Sequence, residues 1–465
     1  MRHFQVAIIG GGPGGYTAGI RLQQYGIDCV VIEKERLGGV CLNWGCIPTK
    51  ALVKIADLYS EIKEREKKGI FLGEQSFSYQ VIAQYKSDAV EKLVSGIEYL
   101  YEKRDIPVIY SMARRIIREN NKFVVHADNE ICSCNYLILA TGSKPKAIPG
   151  INFNGIDILS SRDILELKDL PESLAVIGGG VIGCEFASIF QQLGVKVQIV
   201  EFLPNLVAQE DKEISKRLQI LFKKKKVKIH TKSEVKTISK RDGQMVINFA
   251  SGKKIYAQKV LMSAGRYPIC DLEFEGFQIN TKNNFVTIDD RMRTNIENVF
   301  AIGDITGKLM LAHTASKQAM LVVEMIKNKL KNKDIVFKKL NYSNIPRCTF
   351  TNPSIGSVGL TEDQAREKYG EISIGKFMFS ANGKALASGT TDGFVKVIVE
   401  KNSGRIRGIH IIGPEAAELI AEGSILINLE AGIDQIRQLV FAHPTLSETL
   451  AEAIEDTEGL SLHKI

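Results

Sequence analysis

Two cysteines near the start of the chain have the most distinctive chemistry in the sequence. Cys41 and Cys46 lie five positions apart within residues 38–50. In an ideal helix this spacing separates the Cα atoms by roughly 8–9 Å, whereas a disulfide requires less than about 7 Å. A bridge therefore requires a distorted turn, which Gly45 allows. The pair is interpreted as a redox-active dithiol.

A zinc site is the alternative for two closely spaced cysteines. Four residues separate this pair, which is outside the usual short spacing of zinc ligands, and no second pair of cysteines or histidines is suitably placed. Cys132 and Cys134 lie in a segment with the pattern of a hairpin, and we interpret them as structural. We therefore expect no metal.

The sequence contains two copies of one dinucleotide-binding pattern. In the first copy, an apolar strand leads into a turn with Gly10, Gly12 and Gly15, and a helix follows. The next apolar strand ends in Glu33, 23 residues after Gly10. Glycines in this position let the backbone turn tightly and approach a pyrophosphate at the helix N-terminus, while the acid accepts hydrogen bonds from a ribose.

The second copy repeats this pattern with the same spacing of 23 residues from first glycine to acid. Its residues are Gly178, Gly180, Val181, Ile182, Gly183 and Glu201. Two dinucleotide sites imply two dinucleotides. A carboxylate at Glu201 pairs with a free 2′-hydroxyl and repels a 2′-phosphate, and its neighbour Phe202 is not basic, so the pattern favours NAD over NADP.

Residues 38–50 resemble the active-site signature of the class I pyridine-nucleotide–disulfide oxidoreductases. The resemblance runs over the whole chain, with further family-like segments at 139–142, 264–268, 299–304 and 442–448. It implies an α/β fold with two Rossmann-like domains, which bind FAD and NAD, and a C-terminal α+β dimerisation domain. The cofactors expected from this resemblance are FAD and NAD.

The resemblance also assigns roles near the flavin. Asp304 ends a strand and binds the ribitol, while Lys50 lies beside the flavin N5 with Glu185 as its ion-pair partner. A surface charge on a helix is the alternative for Glu185. The helix that faces the flavin pyrimidine opens with Met310, Leu311, Ala312 and His313. The remaining residues that the family pattern assigns to cofactors are Lys34, Thr141, Gly142, Gly265 and Arg266.

An acid–base pair is implied near the end of the chain. His443 and Glu448 resemble the pair of the family in which imidazole takes a proton from a thiol and the carboxylate orients the ring. In the family this histidine comes from the partner subunit, so a homodimer with shared active sites is expected.

The branch of the family is indicated by smaller features. No cysteine follows Cys348, which argues against mercuric and large thioredoxin reductases, and Glu201 argues against the glutathione type. Segments 41–52, 379–385 and 412–415 most resemble the members that oxidise dihydrolipoyl groups. The implied activity is oxidation of protein-bound dihydrolipoamide to lipoamide with reduction of NAD, on the lipoyl domains of 2-oxoacid dehydrogenase complexes or in glycine cleavage.

Two other functions stay open. One is an NADPH-dependent disulfide reductase of the glutathione reductase type, and the other is a flavoprotein with an idle site that serves as a binding subunit. Trp44, Thr314 and Phe441 depart from the commonest family pattern, which leaves open how the substrate fits and what the flavin potential is.

Four regions are predicted along the chain. They are an FAD-binding domain over 1–149, an NAD-binding domain over 150–275, a central segment over 276–340 that returns to the FAD domain, and an interface domain over 341–465. Within the last region the patterns predict strands over 394–400 and 405–413 and helices over 415–431 and 445–456.

The charge pattern gives little further information. The formal net charge is +8, and the lysines at 223–226 are interpreted as a solvated helix end. No aromatic residues alternate with them, so nucleic-acid binding is not favoured. The sequence enters a strand at once and contains no membrane-length apolar run. We expect a bacterial cytoplasmic protein, or a mitochondrial matrix protein in processed form.

Overall fold

A computed structural model describes residues 1–65, 69–70, 73, 76–333 and 339–464. The chain forms two compact units. Unit 1 contains residues 1–51, 80–146 and 265–342, and unit 2 contains residues 52–79, 147–264 and 343–465. Part of the predicted central segment, residues 334–338, lies outside the described residues. The four predicted domain boundaries stay a prediction.

The described strands form six sheets. The described strands are β1 (Arg2–Ile9), β2 (Cys29–Glu33), β3 (Val108–Tyr110), β4 (Ala113–Glu119), β5 (Lys122–Ala127), β6 (Ile131–Leu139), β7 (Ser143–Pro145), β8 (Ile158–Leu159), β9 (Ser173–Ile177), β10 (Lys196–Val200), β11 (Lys228–His230), β12 (Val235–Arg241), β13 (Gln244–Phe249), β14 (Lys254–Ala257), β15 (Lys259–Met262), β16 (Arg266–Pro268), β17 (Glu273–Glu275), β18 (Thr281–Lys282), β19 (Phe285–Val286), β20 (Val299–Ala301), β21 (Arg347–Thr349), β22 (Ser354–Gly359), β23 (Ile372–Met378), β24 (Phe394–Glu400) and β25 (Ile406–Gly413).

The α-helices lie between and after these strands. The described α-helices are α1 (Pro13–Gln24), α2 (Gly39–Trp44), α3 (Cys46–Arg65), α4 (Tyr79–Glu102), α5 (Val181–Gln192), α6 (Lys212–Lys224), α7 (Ala312–Leu330), α8 (Glu362–Tyr369), α9 (Gly383–Ser388), α10 (Ala416–Asn428), α11 (Ile433–Ile436) and α12 (Glu448–Glu455).

Unit 1 is built around an eight-stranded sheet. Its order is β17-β4-β5-β6-β1-β2-β3, and β20 also pairs with β6. Strands β1 and β2 are parallel neighbours, and the residues of β2 are buried throughout. A parallel strand covered on both faces must be apolar where it is buried, which explains the apolar runs 6–9 of β1 and 29–32 of β2.

Unit 2 contains two five-stranded sheets and one three-stranded sheet. The parallel sheet has the order β11-β10-β9-β15-β8, and a small antiparallel sheet has the order β12-β13-β14. The antiparallel sheet β21-β22-β25-β24-β23 follows later in the chain. Apolar residues of α10 and α12, among them Ile420 and Leu450, share one buried core with Val395 and Ile411 of this sheet.

The structure confirms the predicted fold class and most of the predicted elements. The strand–glycine turn–helix–strand order is present twice, as β1-α1-β2 and β9-α5-β10. The strands predicted in the last region are β24 and β25, and the predicted helices are α10 and α12. Asp304 differs from its prediction, because the strand ends at Ala301 and Asp304 lies in the 3-10 turn Gly303–Thr306.

Within the part of the chain that the structure describes, no helix combines the length and the apolar character needed to cross a membrane.

A buried cluster of charges lies inside unit 2. The Lys396 Nζ is within 3.0 Å of Asp211 Oδ1, 2.9 Å of Glu213 Oε1 and 2.7 Å of Glu362 Oε2. The Lys396 side chain is 1% exposed. Burial by itself lowers the pKa of this lysine, but the carboxylates outweigh burial and raise the pKa to about 12. The cluster links the start of α6 to β24 and the start of α8.

We expect Lys396→Met to lower the free energy of unfolding by about 3–5 kcal/mol, because it leaves buried carboxylates without their cation. Chemical denaturation followed by circular dichroism measures the change. The matched control is Lys401→Met, whose side chain is 53% exposed and whose ion pair with Glu371 is 3.8 Å long. That control should change the stability by less than about 1 kcal/mol. Equal midpoints for the two variants would contradict the importance of the cluster.

Candidate active site

The glycine turn of unit 1 leaves no room for side chains at two positions. A Cβ on Gly10 would lie 2.4 Å from the carbonyl oxygen of Ala140, and a Cβ on Gly15 would lie 1.8 Å from that of Gly10. The φ angle of Gly10 is +105°, which also favours glycine. Gly12 differs, because its Cβ would come no closer than 3.9 Å to another group. Space is therefore open beside Gly12, where α1 begins.

The glycine turn of unit 2 repeats this geometry. A Cβ on Gly178 would lie 2.5 Å from the carbonyl oxygen of Ser263, and one on Gly183 would lie 2.0 Å from that of Gly178. A Cβ on Gly180 would meet no atom within 4 Å. Val181 and Ile182 are the first two residues of α5, directly beyond this open space.

The two predicted ribose-binding acids are held in the same way. Glu33 accepts hydrogen bonds from the N–H groups of Gly11 at 2.6 Å and Glu35 at 2.8 Å. Glu201 accepts them from Gly179 at 2.5 Å and Leu203 at 2.7 Å. Both carboxylates are buried, and burial raises the pKa of Glu33 although its two N–H donors oppose the increase.

These features fit a dinucleotide in each unit. An open space at a helix N-terminus lets a pyrophosphate reach the backbone, and a carboxylate on the neighbouring strand is placed for a ribose. The residues of unit 1 thus fit FAD, and those of unit 2 fit NAD. Lys34 lies at the edge of the first site with its side chain half-exposed, 3.8 Å from Glu35.

The cysteine pair lies at an interruption between two helices. Helix α2 ends at Trp44, Gly45 has φ −147° and ψ −104°, and α3 begins at Cys46. The chain therefore makes the distorted turn that the five-residue spacing requires. In this structure both Cys41 and Cys46 are free thiols, and they are joined by a hydrogen bond.

The surroundings of Cys41 favour its neutral thiol form. Its hydrogen bond to Cys46 raises the Cys41 pKa well above the ordinary value, and burial and the charge of Cys46 raise it further. Lys50 opposes this increase. Burial and the charges of the two cysteines also raise the pKa of Tyr16, so the phenol of this residue on α1 lies beside the pair.

A second polar cluster in unit 1 joins Arg266, Ser143 and Asp304. Arg266 Nε donates to Ser143 Oγ at 2.6 Å, and Ser143 Oγ donates to Asp304 Oδ2 at 2.5 Å. Burial lowers the pKa of Arg266, while the charges of Asp304 and Cys46 oppose the decrease. The guanidinium therefore lies in the electrostatic field of the cysteine pair.

Helix α7 begins where the sequence predicts. Leu311 is its N-cap and Ala312 its first residue, so His313 lies in the first turn, while Met310 is 39% exposed just before it. The positive end of this helix favours a ligand that gains negative charge, which fits a flavin. The turn before it is held by Gln318, whose Oε1 accepts from the N–H of Gly303 at 2.7 Å.

Backbone conformation distinguishes the remaining residues assigned to cofactors in unit 1. Gly142 and Gly265 have φ angles of +76° and +109°, and neither would bring a Cβ within 4 Å of another atom. The hydroxyl of Thr141 donates to the carbonyl oxygen of Ile269.

Glu185 is a buried residue of α5, only 4% exposed. Its Oε1 accepts from the N–H of Phe350 at 2.9 Å. The alternative of a solvated surface charge is therefore wrong. Lys50 lies four residues after Cys46 on α3, on the same helical face. The ion pair between Lys50 and Glu185 stays a prediction.

His443 and Glu448 lie side by side in unit 2. His443 Nδ1 is 2.8 Å from Glu448 Oε1, and the N–H of Thr445 donates to Glu448 Oε2 at 2.8 Å. The Thr445 bond is the largest cause that lowers the pKa of Glu448, and His443 adds to it. The carboxylate of Glu448 therefore stays charged further into the acid range than that of an ordinary glutamate. The imidazole ring is 76% exposed and keeps Nε2 for other groups.

The structure also tests the other cysteines. Cys132 and Cys134 are buried in β6, and burial raises the pKa of Cys132 to about 11. Their interpretation as structural residues is confirmed. Among the residues described, no three histidine, cysteine or acidic side chains come together to hold a metal ion.

Comparison with known proteins places this geometry in a class. The pattern of the pyridine nucleotide-disulphide oxidoreductases matches residues 4–319, and that of their dimerisation domain matches residues 345–454. The chain belongs to the pyridine nucleotide-disulphide oxidoreductase family. The cofactors of this family are FAD and NAD.

Individual relatives are more specific. The chain is 37% identical to a dihydrolipoyl dehydrogenase of Bacillus subtilis, with 98% of this chain and 99% of that protein covered. It is 38% identical to a dihydrolipoyl dehydrogenase of Chlamydia pneumoniae, with 97% and 96% covered.

Solved structures share the fold. LpdA from Mycobacterium tuberculosis is 22% identical with a TM-score of 0.87, over 98% of this chain and 99% of that one. The HOCl-induced flavoprotein disulfide reductase RclA from Escherichia coli is 26% identical with a TM-score of 0.83, over 97% and 99%.

Sequence reasoning missed two residues of the site. Ser143 links Arg266 to Asp304, and its only signal was its place directly after Gly142. Tyr16 lies beside the cysteine pair, and its signal was its place in the first turn of α1, directly after the glycine motif. Neither residue type indicates such a position by itself.

We expect Gly180→Ala to weaken NAD binding by about tenfold or more, which corresponds to about 1.4 kcal/mol. The added methyl meets no protein atom but occupies the space that a pyrophosphate needs. Titration of NADH binding by fluorescence measures the effect, and flavin content should not change. The control is Gly96→Ala in α4, where a Cβ also meets no atom within 4 Å. Unchanged NADH binding in Gly180→Ala would show that the dinucleotide lies elsewhere.

Proposed function

We propose that the chain is a dihydrolipoyl dehydrogenase, which oxidises the dithiol of dihydrolipoamide to the disulfide of lipoamide and reduces NAD to NADH. The observation that carries this proposal is the hydrogen-bonded pair Cys41–Cys46 at a break between α2 and α3. The dihydrolipoyl dehydrogenases of Bacillus subtilis and Chlamydia pneumoniae, which align over nearly the whole chain, support the choice of substrate.

The cycle begins with the cysteine pair in its disulfide form. His443 takes a proton from one substrate thiol, and the resulting thiolate attacks the sulfur of Cys41, which forms a mixed disulfide and releases Cys46 as a thiolate. The second substrate thiol then attacks its own partner sulfur, so that the cyclic disulfide leaves and Cys41 departs as a thiol. The substrate loses two electrons and two protons, and the cysteine pair gains the electrons.

The properties of the two cysteines support this division of roles. The hydrogen bond to Cys46 and burial raise the pKa of Cys41, which agrees with the departure of Cys41 as a thiol in this cycle. An exposed imidazole oriented by a charged carboxylate, as in His443 and Glu448, is suited to take the proton of the substrate thiol and to return a proton to Cys41. Cys46 takes the thiolate role within the field of Arg266.

The chemistry that FAD supplies when bound is transfer of the electron pair from Cys46 to NAD as a hydride. For FAD we assign Glu33, the glycines of the first turn, Lys50 with Glu185, the cluster around Asp304, and the start of α7. For NAD we assign the second glycine turn and Glu201, whose buried carboxylate disfavours the 2′-phosphate of NADP.

The protein is proposed to act as a homodimer in which His443 of each chain serves the active site of the other. The dimerisation domain at residues 345–454 supports this assembly. The lipoyl domains of 2-oxoacid dehydrogenase complexes are the proposed partners, and glycine cleavage is a further setting. The proposed location is the bacterial cytoplasm, supported by bacterial relatives, or the mitochondrial matrix for a processed form.

The function is tested by turnover of the purified, flavin-loaded protein with dihydrolipoamide, with NAD and NADP offered separately. Fast reduction of NAD and slow reduction of NADP is the expected result, because Glu201 repels a 2′-phosphate. If dihydrolipoamide reduced neither nucleotide while NADPH bleached the flavin, the chain would instead be an NADPH-dependent disulfide reductase.

We expect Glu448→Gln to slow oxidation of dihydrolipoamide by roughly 10²-fold or more, since a neutral amide does not stabilise the imidazolium of His443. Stopped-flow reduction of the flavin by dihydrolipoamide measures this step. Flavin content and reduction by NADH should be unchanged. Glu418→Gln is the control, at an exposed glutamate on α10. Loss of flavin from Glu448→Gln would mean that Glu448 is structural.

A further inference from the structure

The segment between β10 and α6 folds back onto the glycine turn of unit 2. In this bracing segment, residues 203–211, the N–H of Val207 donates to the carbonyl oxygen of Gly179 at 2.8 Å. The fully buried side chain of Leu206 fills the space beside Gly179, because a Cβ on that glycine would lie 2.4 Å from Leu206 Cδ2. The bracing segment therefore contacts the turn at the residue next to Gly180, beside which space is open.

Unit 1 has the same arrangement at its own glycine turn. The N–H of Gly38 donates to the carbonyl oxygen of Gly11 at 2.8 Å, and a Cβ on Gly11 would lie 2.7 Å from Leu37 Cδ2. In both units a leucine packs against the middle glycine of the turn, and the residue after the leucine donates to the carbonyl of that glycine. Because this contact recurs wherever the turn recurs, it belongs to the geometry of dinucleotide binding.

The donating residue differs between the two units. Gly38 has a φ angle of +94°, which glycine adopts freely. Val207 has a φ angle of +41°, where a β-branched residue is an outlier and the backbone is strained. Such a conformation persists only where surrounding contacts enforce it. One of these contacts is adjacent, since the hydroxyl of Ser215 on α6 donates to the carbonyl oxygen of Leu206 at 2.6 Å.

The bracing segment is also anchored at both ends. At its start, the N–H of Leu203 donates to Glu201 Oε1 at 2.7 Å. At its end, Asp211 is the N-cap of α6 and lies 3.0 Å from the Nζ of the buried Lys396. The buried charge cluster thus holds one end of the segment, and the carboxylate of Glu201 holds the other.

We propose that the bracing segment positions the second glycine turn for NAD, with Leu206 and Val207 as positioning residues. The inference rests on the proposed function. Gly179 is held through its N–H by Glu201 and through its carbonyl by Val207. The space at Gly180 is therefore open before a pyrophosphate arrives. A site that is ordered in advance binds its ligand more tightly, because binding does not have to order it.

The test compares Leu206→Ala with Leu159→Ala in the flavin-loaded protein. Both substitutions truncate a fully buried leucine of unit 2, but Leu159 lies on β8, at the edge of the parallel sheet and two strands from β9. The probe is ADP-ribose, which carries the pyrophosphate and adenosine of NAD but cannot accept a hydride. Isothermal titration calorimetry measures its dissociation constant, and thermal unfolding measures stability.

Leu206→Ala should bind ADP-ribose about three- to tenfold more weakly than wild type, because a loosened turn must be ordered on binding. The KM for NAD should rise by a similar factor, while kcat, flavin content and flavin reduction by dihydrolipoamide stay unchanged. Leu159→Ala should lose comparable stability but bind ADP-ribose as wild type does. Unchanged binding in Leu206→Ala, or equal weakening in both variants, would overturn the inference.

A second pair of variants tests the hydrogen bond itself. Val207→Gly retains the N–H donor and introduces the residue type that unit 1 has at Gly38, so its binding of ADP-ribose should match wild type. Val207→Pro removes the donor and excludes a positive φ angle, so it should weaken binding at least as much as Leu206→Ala does. Binding that weakens equally in both Val207 variants, or in neither, would overturn the role of this hydrogen bond.

These measurements separate the inference from the proposed function. If dihydrolipoamide did not reduce the flavin of wild type, while ADP-ribose still bound more weakly to Leu206→Ala than to Leu159→Ala, the proposed substrate would be wrong and the role of the bracing segment would stand. If wild type reduced NAD with dihydrolipoamide, but Leu206→Ala bound ADP-ribose as tightly as wild type, the function would stand and the role of the bracing segment would be wrong.

Discussion

The close approach of the backbone to itself at the two glycine turns is the constraint on which the rest of the structure depends. At Gly15 and Gly183 a methyl group would lie within 2.0 Å of a carbonyl oxygen. Only this contact brings each helix N-terminus up to the end of its sheet, beside a buried carboxylate at Glu33 or Glu201. The open spaces at Gly12 and Gly180 follow from the same turn. The backbone therefore shapes the space for both dinucleotides, and the carboxylates of Glu33 and Glu201 add polar contacts at its edge.

In the proposed mechanism, different groups handle the protons and the electrons. The break at Gly45 brings two sulfurs together, and their hydrogen bond raises the pKa of Cys41. The charges that surround the electron-carrying side are Arg266 and Lys50, whereas the proposed base His443 is exposed and paired with a carboxylate. In that mechanism the dithiol passes its electrons on through Cys46, while His443 handles the protons.

The charged side chains of unit 2 differ in how deeply they are buried. The side chains of Lys396 and Asp211 are almost fully buried, and a charge there is costly unless it is paired. The pairs His443–Glu448 and His463–Glu452 lie at the surface, with imidazole rings that are 76% and 70% exposed. Because salt screens charges at the surface, these pairs contribute less to stability than the buried cluster.

The sequence by itself determined what repeats or has a period: two strand–glycine turn–helix units, the acids 23 residues after the first glycine, the helices and strands of the last region, and the cysteine spacing. Local backbone rules decide these features, so they can be read along the chain. Only the tertiary structure decided that Glu185 is buried, that Ser143 links Arg266 to Asp304, that Tyr16 lies beside the cysteines, and that His463 faces Glu452. Those contacts join residues from different elements, whose meeting depends on packing, and no local pattern encodes it.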